Sequence, residues 1–309
     1  MNLLQNIFND LEESVSLAKC YILDPDDYVR IHSVKINGKL RTLRAYKESP
    51  KGAALRALHE KIADFLSSCY TPAESSFAYK KGSDIFSCIN CHKNASTFLK
   101  SDIRSYFDSI SYEKMWDKLK TLPAFQANES ILSILTKSCF YEDKLPLGFC
   151  SSPILSDFYL TKLDRKFERI SNIIYTRYAD DFIISSPVNN AETLLKQIRE
   201  DLWDEIENYG LDLNEKKTYI RSLKSKGDSF HALGLNLVFV DKNQNRITVS
   251  DSYLRETCKQ IMEYAHNKSI EKEVIAGKIN FIYNASQGSY KKFKKLVKIK
   301  LGKELEEIL

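Results

Sequence analysis

The sequence predicts an α+β fold. Three observations carry that reading: β-rich runs separated by short turn sequences, helical apolar spacing between those runs, and about sixty C-terminal residues that read as helix. Composition narrows the class. The 309 residues hold 46 Lys plus Arg against 41 Asp plus Glu, 43% apolar residues and only 10 Gly and 7 Pro, which excludes collagen and low-complexity or disordered architectures. The resulting charge of +5 permits nucleic-acid binding without requiring it. No apolar run reaches the roughly 20 residues that a bilayer span needs, and MNLLQNIFNDLEES lacks the basic flank and apolar core of a signal peptide. Seven Cys at irregular spacing argue for reduced thiols. The expectation is a soluble cytoplasmic protein without a membrane partner.

The elements follow in order. A helix is predicted over 3–20, then a strand pair over 30–46 turning at Asn37-Gly38, a dipeptide that favours tight hairpins. Residues 1–30 carry six acids and two bases, whereas 35–58 carry seven bases and one acid, so the hairpin is a basic element. Past the break at Pro50, Leu55, Leu58, Ile62 and Leu66 mark a helix over 52–69. A short strand over 96–103 precedes helices near 112–120 and 129–139. The segment LPLGFCSSP (145–153) is a loop, after which Ser152 caps a helix opened by Pro153 and running to about Ile170.

Two β-rich arms, IIYTRY (173–178) and FIISS (182–186), flank Ala179-Asp180-Asp181 and predict a tight hairpin with acids at its tip. An amphipathic helix over 190–209 closes at Gly210, and a further hairpin spans 230–249 with its turn at DKNQN. Helices over 251–268, 271–283 and 289–308 complete the chain.

The chemistry concentrates in Asp102, at the end of one predicted strand, and in the pair Asp180-Asp181. If the two strands pair, three carboxylates converge. Such a cluster is costly unless cations neutralise it, and hard oxygen ligands select Mg²⁺ or Mn²⁺. Two such ions clamp the attacking and leaving oxygens of a phosphoryl transfer. An isolated Asp-Asp pair in a turn would be an ordinary solvated turn. A second constellation, Cys88-x-x-Cys91-His92, is half of a zinc site without a second ligand pair nearby, so buried thiols are expected.

Four strings stand in order: DIRSYFDSI (102–110), LPLGFCSSPILSDFYLTKLD (145–164), YTRYADDFIISS (175–186) and GLDLNEKKT (210–218). Their order and spacing resemble the palm motifs of bacterial reverse transcriptases close to retron and group II intron enzymes, from about Lys39 to about Tyr283. The resemblance implies a right-hand polymerase: fingers with the N-terminal helix over 1–100, a palm with an antiparallel ferredoxin-like sheet over 101–250 that interleaves fingers helices (111–144), and a basic helical thumb over 251–309.

By the same resemblance, Asp102 and Asp180 bridge two Mg²⁺ ions, or Mn²⁺ in their place, the Ile103 carbonyl is a backbone ligand and Asp181 supports them. Phe107 matches the steric gate that rejects a ribose 2′-hydroxyl, although Tyr106 beside it leaves open which ring faces the site. Gly148 matches a template and nucleotide contact, and Leu147 replaces a usual Gln. Lys217 aligns with the lysine that protonates pyrophosphate, with Lys216 as its competitor. Lys39 and Arg41 match the fingers grip on the incoming triphosphate. Lys291, Lys292, Lys294, Lys295 and Lys298 would follow the duplex through phosphate contacts, although a lysine-rich helix face is often merely solvated.

Within the family, Cys88-Ile89 stand where retron enzymes show Asn-Ala before a histidine, and Ala232-Leu233-Gly234 replaces Val-Thr-Gly. No maturase, endonuclease or integrase segment is expected after the thumb. The remaining likeness is to defence-associated, abortive-infection reverse transcriptases. It implies an RNA-directed DNA polymerase that extends DNA with dNTPs on a non-coding RNA template in anti-phage defence, with an effector protein as a further partner. Template-independent or protein-primed DNA synthesis is the alternative within the enzyme class. An RNA-binding scaffold or toxin regulator with a vestigial site is the alternative outside it. Oligomeric state is not legible in the sequence.

Overall fold

The computed structural model describes residues 4–308 apart from 5, 6, 9, 37, 38, 189, 242, 243, 268 and 269. In chain order the first elements are α1 (Leu11–Leu23), β1 (Val29–Ile36), β2 (Lys39–Tyr46), α2 (Pro50–Cys69), α3 (Ile85–Asn90), β3 (Thr97–Asp102), α4 (Tyr112–Leu119), α5 (Pro123–Gln126), α6 (Glu129–Ser138) and α7 (Ser152–Phe167). They continue with β4 (Ile174–Tyr178), β5 (Asp181–Ser186), α8 (Glu192–Asn208), β6 (Tyr219–Ser222), β7 (Ser229–Ala232), β8 (Leu235–Asp241), β9 (Gln244–Val249), α9 (Asp251–Asn267), α10 (Lys272–Ala285) and α11 (Gln287–Leu301). The chain forms two units. One takes residues 1–81, 102–169 and 202–214, and the other takes 82–101, 170–201 and 215–309.

In the first unit, α1 starts where the Asp10 carboxylate accepts the Glu13 N–H, so the helix expected over 3–20 begins afresh at Leu11 and runs on to Leu23. Strands β1 and β2 pair antiparallel from Val29↔Tyr46 to Ile36↔Lys39. The predicted turn at Asn37-Gly38 lies outside the described residues. Helix α2 opens at Pro50 behind a Ser49 cap and buries Leu55, Leu58, Ile62 and Leu66, the residues whose spacing predicted it. It packs against α1 and α6. Ser152 does not cap α7 as expected. Ser151 holds the cap position, while the Ser152 hydroxyl donates to the Pro146 carbonyl at 2.7 Å and ties the preceding loop to the helix.

The second unit is built on a four-stranded sheet of order β4-β5-β3-β6 and a three-stranded sheet of order β7-β8-β9. Phe98 of β3 stacks on Phe230 of β7 at 4.5 Å, joining the two sheets through one aromatic pair. The hairpin expected over 230–249 is therefore a three-stranded meander. Its first turn, Leu233-Gly234, places Leu233 at a φ of 52°, a left-handed conformation that a leucine does not advertise in sequence. Helices α10 and α11 pack on β9. The last helix, expected over 289–308, stops at Leu301 because Gly302 adopts a φ of 68° and donates its N–H to Lys298. No helix among the described residues is long and apolar enough to cross a membrane.

Candidate active site

The second unit positions the acidic hairpin. Strands β4 and β5 run antiparallel with Tyr178 opposite Asp181, leaving Ala179 and Asp180 as the two turn residues. Ala179 takes a φ of 55°, strained for a residue with a Cβ. Arg177 supports that strain: it is fully buried, and its Nη1 donates to the Ala179 carbonyl at 3.1 Å. Behind the hairpin, the buried His92 meets Ser185 Oγ through Nδ1 at 2.7 Å and Thr176 Oγ1 through Nε2 at 2.8 Å. Cys88 Sγ donates to the same Thr176 hydroxyl. Burial pushes the imidazole down to about 3 and the Cys88 thiol up to about 12, so both are neutral packing groups. The half zinc motif is thus spent on the hairpin, as the expected buried thiol at Cys88, although Cys91 is exposed.

Lys100 of β3 lies 3.9 Å from the Asp181 carboxylate. The two strands are neighbours in the sheet. Ser101 next to it shares a 2.7 Å hydrogen bond with Thr218, and β3 pairs antiparallel with β6. Lys217, half-buried, occupies a 3₁₀ turn over Glu215–Lys217, whereas Lys216 is exposed.

The first unit holds further residues singled out from the sequence. Asp102 is 4% exposed and accepts Asn214 Nδ2 at 3.3 Å, while its own carbonyl accepts the Asn214 N–H at 2.8 Å. Ile103 bridges Leu213 next door. In the 3₁₀ turn Phe107–Ser109, the pair of rings divides: Tyr106 is buried with its hydroxyl donating to the Ser156 carbonyl, and Phe107 stays half-exposed. Gly148 has a φ of 114°, and a Cβ on it would stand 2.4 Å from the Arg44 carbonyl. Close packing against β2 therefore requires this glycine, whatever else it touches. Arg41 is exposed on β2 and Lys39 opens that strand.

In α11 the lysines divide into two sets. Lys292, Lys294 and Lys298 pair with Asp251, Glu306 and Glu304, while Lys291 and Lys295 are exposed one turn apart. Among the described residues, no group of three or more His, Cys, Asp or Glu forms a ready-made metal cage. Arg44 and Lys100 carried no motif signal and meet partners distant in sequence, whereas Arg177 lies within YTRYADDFIISS and His92 within the half zinc motif, where their structural contacts were not legible. Asn214 lies inside GLDLNEKKT (210–218), and its contact with Asp102 spans 112 residues.

Comparison with known proteins gives these parts a context. The profile of the family described as reverse transcriptase (RNA-dependent DNA polymerase) matches residues 47–237. The chain is similar to the retron Ec86 reverse transcriptase of Escherichia coli, with 28% identity over 299 residues covering 94% of this chain and 87% of that one. It is also similar to the retron Ec83 reverse transcriptase of the same organism, with 23% identity over 247 residues covering 74% and 75%. Among solved structures, telomerase from Candida albicans with a fragment of telomeric RNA superposes with a TM-score of 0.53 at 12% identity, over 91% of this chain and 61% of that one. Apo telomerase from Candida tropicalis gives 0.53 at 12%, over 88% and 58%. The chain thus spans about three fifths of the length of those telomerase chains. These likenesses establish the right-hand polymerase fold expected from the sequence.

Proposed function

Because the chain belongs to the reverse transcriptase family, and is an RNA-directed DNA polymerase of the retron-like bacterial kind, we propose that it extends DNA with dNTPs on a non-coding RNA template by two-metal phosphoryl transfer. Asp102, Asp180, Asp181 and the Ile103 carbonyl would hold two Mg²⁺ ions, or Mn²⁺. Their oxygen donors suit a hard divalent cation. When bound, the ions neutralise charge on the transferring phosphoryl group and its flanking oxygens. The observation that carries this reading is the Lys100–Asp181 contact at 3.9 Å. Lys100 and Asp102 stand two apart on β3 and so on one face of the strand, which supports that reading.

The remaining roles are assigned to the chain's own residues. Phe107, the half-exposed ring of its pair, excludes a 2′-hydroxyl. Lys39 and Arg41 grip the triphosphate, and Lys217 delivers a proton to pyrophosphate. Gly148 lets the 145–153 loop approach template and nucleotide. Lys291 and Lys295, with Lys292, Lys294 and Lys298 flanking them, follow the duplex phosphates. Fingers, palm and thumb divide at about residues 100 and 250. An RNA partner is supported by the retron relatives and by the telomerase solved with telomeric RNA. The setting proposed is cytoplasmic anti-phage defence with an effector protein.

The test is to purify the protein with its bound nucleic acid and sequence RNA and DNA, comparing wild type with Asp180→Asn/Asp181→Asn. A discrete RNA with complementary DNA only in wild type supports the proposal. DNA lacking a complement in the bound RNA would replace it with untemplated synthesis. RNA with no mutation-sensitive DNA would replace it with an RNA-binding scaffold.

A further inference from the structure

Arg44 lies in β2, away from every motif that carries the family resemblance. Its side chain is 9% exposed, yet its Nε is buried with no hydrogen-bond partner among the described residues. The nearest acids stand just beyond hydrogen-bonding reach: Asp108 Oδ1 is 3.9 Å from Nη1 and Glu142 Oε2 is 3.9 Å from Nη2. The Tyr141 ring lies 5.1 Å from the guanidinium carbon. A buried cation held this loosely is costly to the fold, which leaves room for a role other than stability.

The three segments around it supply that role. Asp108 directly follows Phe107 in the 3₁₀ turn Phe107–Ser109. Glu142 and Asp143, both with positive φ of 49° and 59°, form the strained turn closed by reciprocal backbone bonds between Tyr141 and Lys144. The Arg44 N–H donates to the Leu147 carbonyl at 2.8 Å, and the Arg44 carbonyl is what Gly148 packs against. One residue of β2 therefore meets the gate turn, the 141–144 turn and the 145–153 loop, all within the first unit.

We propose that Arg44 is a positioning residue for sugar selection: its charge, facing Asp108 at 3.9 Å, biases the turn that carries Phe107 and so tunes how strictly deoxynucleotides are preferred over ribonucleotides. The inference rests on the reading of Phe107 as the gate. A steric gate rejects only as firmly as its ring is held, because a ring free to retreat gives up the clash. Loosening the turn thus raises ribonucleotide use and leaves deoxynucleotide use nearly unchanged. A purely structural role for Arg44 would lower both together.

The experiment measures kcat/KM for a matched dNTP and rNTP with the full chain on one RNA template. It compares wild type with Phe107→Ala, Arg44→Gln, Arg44→Lys and Asp108→Asn, with thermal melts alongside. Arg44→Gln and Asp108→Asn are each expected to reduce the dNTP preference about tenfold, and the double variant no further than either alone, since neighbours in one network do not add. Arg44→Lys, a cation without the fork, falls between wild type and Arg44→Gln. An unchanged preference in folded Arg44→Gln and Asp108→Asn, with Phe107→Ala relaxed, overturns the proposal and spares the gate. An unchanged preference in Phe107→Ala removes the gate and the proposal with it. Should Arg44→Gln not fold, Asp108→Asn decides, because that carboxylate is half-exposed and its replacement is isosteric.

Discussion

His92 in the second unit and Arg44 in the first are both buried polar residues near expected functional segments, and the protein treats them in opposite ways. Each ring nitrogen of His92 has a hydroxyl within 2.8 Å, and burial keeps the ring neutral. Arg44 leaves Nε without a hydrogen-bond partner among the described residues and meets two carboxylates only at 3.9 Å. A saturated neutral group rigidifies what it touches, here both strands of the Asp180-Asp181 hairpin. A loosely paired charge is worth little to stability and is suited to tuning. The difference teaches that burial alone does not tell scaffold from adjustable element, whereas hydrogen-bond saturation does.

Acid should separate the two most strongly. His92 and His59 both fall from an ordinary 6.5 to about 3 through burial. Between those values the unfolded chain binds a proton at each site and the folded chain does not. Their stabilisation is therefore complete above pH 6.5 and is lost as pH falls, at about 1.4 kcal/mol per pH unit for each histidine. Urea unfolding from pH 7 to pH 4.5 should show that slope, and His92→Asn should remove about half of it. Arg44→Met should leave it intact.

At neutral pH, His92→Leu takes the His92 partner from the buried Ser185 hydroxyl and one of several from Thr176, and is expected to cost about 3 kcal/mol in denaturant unfolding. Gly148→Ala forces a Cβ onto the Arg44 carbonyl in a left-handed backbone and is expected to cost about 2 kcal/mol, read by the same titration. Arg44→Met should be the mildest, about 1 kcal/mol or less, because it removes a poorly paired charge and frees two acids that reach solvent. A loss for Arg44→Met as large as that for His92→Leu would erase the comparison.

The sequence made the hairpin, β3 and the α2 core face legible, because strand alternation, the acidic tip and the spacing of Leu55, Leu58, Ile62 and Leu66 are local signals. It also indicated that one ring of Tyr106-Phe107 must turn inward, and the Ser156 carbonyl decides that it is Tyr106. Other features were closed to local reading. The Leu233-Gly234 turn carries no Asn or Asp, the contact that demands Gly148 comes from residue 44, and His92 finds its partners 84 and 93 residues away. Long-range pairing, not propensity, determines each of these.

The most direct test of the proposed catalytic centre is single-nucleotide extension of a DNA primer on an RNA template with Mg²⁺, comparing wild type with Asp102→Asn at matched template binding. Loss of at least about 1000-fold in rate with binding retained is the predicted result, as expected for a ligand to both ions. Activity within about tenfold of wild type would contradict the assignment of Asp102 to that centre.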